Sequence, residues 1–296
     1  MARIQEDPRI DQRLKAAFSA PPAAGLPNGQ LQSLWSGDGL YERDYWLTSS
    51  PDSNQVALRF ARPAGTTEPM PCVFYIHGGG MAAGSAYDAR SIPRARMLAK
   101  LGCAVASIDF RNCQSPPSDA AEPGHGPGTT EIAPYPAGLN DCMSGLIWVH
   151  AHAAELGIDS TRVIVAGVSG GGNLTIAVAL KAKQEGSLAR LIPRGFYALC
   201  PYIAGTWPQD VVHGDFMLGD SHLDSGNNGI FLKLGGSTSG SASSRGYGQD
   251  AFDRRDPLAW PGFATVEDLT GLPRCVISVN ECDPLRDEVR VYICIR

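Results

Sequence analysis

The chain has 296 residues, 43% hydrophobic and 19% charged, with a formal net charge of −5. That composition suits a globular protein, and the acidic balance argues against nucleic acid or an anionic membrane surface as a partner. No apolar run reaches the length of a membrane span, and the charged start from Met1 to Arg9 lacks the apolar stretch of a secretory leader, so a cytoplasmic protein is expected.

Residues 8–36 carry helical spacing at Ile10, Leu14 and Phe18 and again at Leu31 and Leu34. Asp44 to Ser50 and Val56 to Arg62 read as two strands joined by a Pro-Asp-Ser-Asn turn. Cys72 to Ile76 is a third, wholly apolar strand, and it runs into His77-Gly78-Gly79-Gly80. The spacing predicts a helix over Ala89–Leu101, then a strand over Cys103–Asp109. Residues 113–136, rich in Pro, Gly and Ser, read as a surface loop holding an exposed His125. A helix is expected over Leu139–Leu156, with Trp148 and Val149 on its apolar face and His150 and His152 covering surface.

Val163 to Val165 is a buried strand, followed by Gly167-Val168-Ser169-Gly170-Gly171 and a helical pattern through Leu174, Val178 and Lys181. Strand, tight glycine turn and helix together make the setting of a nucleophile elbow. The serine there sits on a strained turn, and its neighbours must let two backbones approach closely. G-x-S-x-G alone arises by chance in about one chain in four of this composition. H-G-G-G arises in roughly one in a hundred, and here it follows a strand and precedes the serine, as acyl-transfer architecture requires. The two motifs together assign Ser169 as nucleophile, with Gly78, Gly79 and Gly170 presenting backbone N–H groups to a developing oxyanion.

Further strands are expected over Phe196–Cys200 and Arg274–Val279, the second leading to Asp283. Between them, residues 201–262 break the rhythm. They hold Trp207, His213, Phe216, His222 and Phe231, candidates to line a substrate pocket, and a Gly-Ser run from Gly235 that reads as a flexible loop. Eight cysteines are scattered with no C-x-x-C or metal-ligand spacing, as small buried hydrophobes in a reducing compartment would be. Cys282, beside Asp283, is the one singled out for oxidation. The tail alternates at Val289, Val291, Ile293 and Ile295, a strand pattern that could pair with the preceding strand.

The chain resembles the hormone-sensitive-lipase-like esterases of the α/β-hydrolase superfamily over roughly Tyr41 to Glu288. The resemblance rests on His77-Gly78-Gly79-Gly80, Asp109-Phe110-Arg111, Tyr135-Pro136-Ala137 before Asp141, Gly167-x-Ser169-x-Gly171-Gly172-Asn173-Leu174, and Asp283-Pro284-Leu285-Arg286-Asp287. Val168 departs from the pattern, where the family usually carries an acidic residue.

The resemblance implies a mostly parallel, doubly wound α/β sheet in a single domain over residues 1–296, with a lid from about 1–40 and 201–262. It implies a carboxylic-ester hydrolase acting on short-acyl esters, with Asp283 as the triad acid and neither metal nor organic cofactor. The partner is then a small-molecule ester, with homo-oligomers possible. It also implies a histidine beyond the acid, and none follows Asp283. The expectation is therefore a truncated or altered C-terminus lacking the family's last strand and helices. A ligand-binding protein on a hydrolase scaffold is the alternative.

Overall fold

The computed structural model describes residues 8, 12, 15, 35–122, 128–205, 212–213, 216–217, 232 and 241–295; at 212–213, 216–217, 241–245, 290–291 and 294–295 the description is of the backbone alone. His125, Trp207, His222, Phe231 and nearly all of residues 1–34 lie outside the described residues, as do the side chains of His213 and Phe216.

Strands β1 (Leu40–Thr48), β2 (Gln55–Pro63) and β3 (Met70–Ile76) come first, followed by helix α1 (Ser91–Lys100) and strand β4 (Ala104–Asp109). Helix α2 (Ala137–Ala151), strand β5 (Ile158–Val168), helix α3 (Gly170–Gln184) and strand β6 (Phe196–Leu199) continue the alternation. Helix α4 (Ser241–Asp253), strand β7 (Cys275–Ser278) and helix α5 (Arg286–Ile295) close it. The seven strands form one sheet in the order β1-β2-β4-β3-β5-β6-β7. β1 and β2 pair antiparallel, as do β2 and β4; every later pairing is parallel.

Parallel strands are covered on both faces, which is why their sequences run continuously apolar. Successive side chains still point to opposite faces. Cys72, Phe74 and Ile76 of β3 join the main core with α2 and α3. Val73 and Tyr75 join a second cluster with Ala95 and Ala99 of α1. Helices therefore lie on both sides, as a doubly wound sheet requires.

Several expectations change in three dimensions. β1 begins at Leu40 and β5 runs for eleven residues, longer than its apolar segment. The stretch 113–136 is not all surface. Thr129 is fully buried, its N–H donating to Asp109 Oδ2 at 2.6 Å and its hydroxyl accepting from the Ala57 N–H at 3.1 Å. Ser241 to Ser244, read as part of a loop, start helix α4. The tail is helical rather than a strand. Leu285, Val289 and Tyr292 recur at helical spacing and are buried, whereas Ile293 is 50% exposed, so the underlying core selects the helical period. Tyr202, Ile203, Tyr247, Ala259 and Trp260, all within the expected lid segment, belong to the main core.

Candidate active site

The parallel strands β3, β5, β6 and β7 present their carboxyl ends at one edge of the sheet, the usual place for ligands in this architecture. His77, Ser169, Cys200 and the segment leading to Asp283 all leave the sheet there.

At the end of β5 the chain reverses at Ser169, whose φ of 56° and ψ of −117° are unusual for a residue with a side chain. Such strain persists only where surroundings fix it. The Ser169 N–H donates to the Leu199 carbonyl at 2.9 Å, and its carbonyl accepts from the N–H groups of Tyr202 and Asn173, each at 3.0 Å. The Asn173 amide, buried in α3, donates to the Tyr202 carbonyl at 2.8 Å and the Ala259 carbonyl at 3.1 Å. The glycine after the serine is dictated by space. A Cβ on Gly170 would lie 2.6 Å from Met81 N and 2.7 Å from Gly80 N.

The glycine loop therefore lies directly against the serine turn. A Cβ on Gly78 would come within 3.6 Å of Ser169 Cβ. Gly79, at φ +129°, occupies backbone space closed to side chains, and a Cβ there would fall 1.8 Å from the Ala83 carbonyl oxygen. Gly78 thus lies against Ser169, and Gly170 packs against Gly80 and Met81 of the same glycine loop.

The loop is held from behind. His77 is fully buried, with its ring stacked on Phe110 at 4.2 Å. Burial lowers its pKa, and the nearby Asp109 only partly offsets this, so the ring is neutral. Its Nδ1–H donates to the Gly78 carbonyl at 2.9 Å, and Nε2 is sealed with no partner among the described residues. Asp109, also buried, accepts from the Ser85 hydroxyl at 2.8 Å and the Ala86 N–H at 2.7 Å through Oδ1. Burial raises its carboxyl against those donors.

Asp283 lies in the turn after β7, where its Oδ1 accepts from the Leu285 N–H at 2.9 Å and its carbonyl from the Arg286 N–H at 3.1 Å. Cys200 joins it to the serine. Burial first, and then the neighbouring carboxylate of Asp283, pushes this thiol up to about 12, so it stays protonated and donates to Asp283. Asn280 Nδ2 donates to Cys200 Sγ at 3.2 Å. Cys200 directly follows Leu199, the residue that holds the Ser169 N–H. Sequence reading missed Cys200 and singled out Cys282, which is buried. The available signal was position, since Cys200 stands where a parallel strand ends.

Arg111 and Asp141 serve as internal framework. Burial alone would lower the guanidinium, but Asp141 and Asp52 outweigh it and hold its pKa above the ordinary value. Arg111 reaches Asp141 through Nε and Nη2 at 2.9 and 2.7 Å, with both groups out of water. His150 and His152 are engaged away from the sheet edge: His150 Nε2 lies 3.0 Å from the Leu191 carbonyl and His152 Nδ1 2.9 Å from the Trp148 carbonyl. Among the described residues, no helix is long and apolar enough to cross a membrane.

Comparison with known proteins places this geometry in context. Residues 132–294 match the α/β hydrolase fold family. The solved structure of esterase Est22 is 44% identical, with a TM-score of 0.80 over 99% of this chain and 86% of that one. Brefeldin A esterase, described as a bacterial homologue of human hormone-sensitive lipase, is 30% identical with a TM-score of 0.74, over 97% of this chain and 81% of that one. The carboxylesterase NlhH of Mycobacterium tuberculosis is 29% identical over 240 residues, 80% of this chain; the chain spans 64% of that relative's length.

Proposed function

The chain belongs to the α/β-hydrolase fold family, among its hormone-sensitive-lipase-like esterases, and from that premise we propose that it hydrolyses carboxylic esters with Ser169 as nucleophile. The supporting observation is the strained Ser169 turn, with Gly78 of the glycine loop packed against it and Gly170 packed against Gly80 and Met81 of that loop. Ser169 Oγ attacks the ester carbonyl carbon, and the backbone N–H groups of the three glycines receive the oxyanion. The intermediate collapses with loss of the alcohol, and water then releases the acid from the acyl-enzyme. Asp283 would orient and stabilise a histidine that takes the Ser169 proton and returns it to the departing alcohol, and no histidine follows Asp283 in this sequence.

Small esters with acetyl- or butyryl-type acyl groups are the substrate class. The protein acts as a single cytoplasmic unit over residues 1–296, without nucleic acid. A second copy would associate at strand β7, where Val276 is 58% exposed.

One observation favours a second reading, a hydrolase scaffold that captures ligand without turning it over. Among the described residues, His77, His150 and His152 each have one ring nitrogen bonded to a backbone carbonyl rather than to Ser169. Removal of the base from a serine triad costs about 10⁶ in kcat.

Labelling by a fluorophosphonate probe, read by mass spectrometry, together with hydrolysis of p-nitrophenyl acetate, tests the proposal. Ser169 is expected to carry the label, and Ser169→Ala to remove both label and turnover. A label on another serine overturns the nucleophile. A protein that binds the ester stoichiometrically but neither takes the label nor turns the ester over selects the second reading.

A further inference from the structure

Helix α5 begins three residues after Asp283 and turns Glu288 inward, leaving it 3% exposed among Leu285, Val289 and Tyr292. A carboxylate at such a position is costly unless its oxygens are used. Glu288 Oε1 accepts the N–H of Ile203 at 2.7 Å, and Ile203 is itself fully buried.

Ile203 ends the short segment that wraps the serine turn. Leu199 at its start accepts the Ser169 N–H, and Tyr202 donates to the Ser169 carbonyl and accepts from Asn173. The Ile203 carbonyl accepts from Gly262 N–H at 3.1 Å. The strained backbone at Ser169 is thus held by residues 199–203, and that segment is pinned from behind by one buried oxygen on the helix that follows the acid.

We infer that Glu288 is a positioning residue for the nucleophile: through Ile203 and Tyr202 it fixes the 199–203 segment against Ser169 and couples the acid-bearing turn to the serine turn. The inference rests on Ser169 being the nucleophile. The physical reason is reach. Without an acceptor at that point the buried Ile203 N–H has no compensation, and the segment moves to find one, carrying Tyr202 away from the Ser169 carbonyl. Small displacements of a reacting group slow chemistry steeply.

Two variants that keep bulk and fold separate position from charge. Glu288→Gln retains an oxygen at the same reach; Glu288→Asp keeps the charge but falls one methylene short. The readouts are the rate of fluorophosphonate labelling at Ser169 and hydrogen exchange at the Tyr202 and Ile203 amides. Glu288→Asp is expected to label about tenfold more slowly, with both amides exchanging faster. Glu288→Gln is expected to stay within about twofold of the parent in labelling, with protection retained. Parent-like labelling and protection in Glu288→Asp, or equal losses in both variants, would overturn the inference. If the parent carries no label at Ser169, the nucleophile assignment fails, while the exchange data still decide whether Glu288 pins the segment.

Discussion

His77 shows how much one side chain can carry without touching substrate. Its Nδ1–H bond to the Gly78 carbonyl sets the plane of the peptide that carries the Gly79 N–H. The imidazole must be neutral to lie buried under Phe110, and burial lowers its pKa from 6.5 in the folded chain. Between the folded value and 6.5 the unfolded chain therefore binds more protons. The stability of the neutral buried ring is present above pH 6.5 and is lost as pH falls through the folded pKa. We predict that Tm falls between about pH 7 and pH 5 and that His77→Asn flattens this fall. The Asn amide can replace the Nδ1 donor without titrating. Calorimetry of both proteins across that range checks it, and parallel curves would remove His77 as the cause.

Among elements, the decisive contact is between the start of α3 and the glycine loop. Gly170→Ala adds a better helix former, worth about 1 kcal/mol in a helix interior. The same methyl meets backbone nitrogens at 2.6 and 2.7 Å on Met81 and Gly80. Overpacking against backbone costs about 1–3 kcal/mol, so the steric term wins and the two elements move apart. The expected outcome is a lower Tm with Ser169 labelling at least ~10-fold slower. An unchanged labelling rate in a destabilised protein would show that the loop's approach to Ser169 does not matter for reactivity.

For the whole molecule, the informative residue is Trp260. It is fully buried, meets Tyr202 and Tyr247 with ring centroids 5.3 Å away in each case, and sits in the main core with β3 and β5. Trp260→Ala should cost about 3–5 kcal/mol. Urea unfolding should remain a single transition with a lower midpoint and an unchanged slope. A small loss, or a separate early transition, would mean that residues 241–263 fold apart from the sheet.

The parallel core and the place of the serine were legible in short stretches of sequence. A five-residue apolar run such as Cys72–Ile76, closed by a glycine turn, reads as a strand buried on two faces, and glycines flanking Ser169 answer a local demand for close backbone approach. These signals lie within a few neighbouring residues. The tail could not be read in that way. Val289, Val291 and Ile293 fit a strand period, and only the core beneath Leu285, Val289 and Tyr292 makes it a helix. The roles of Cys200, Asp109 and Glu288 were hidden for the same reason. Cys200 meets Asp283 across 83 positions of chain, and Glu288 meets Ile203 across 85. No local pattern encodes such pairings, because the sheet order that brings strand ends together exists only once the chain has folded.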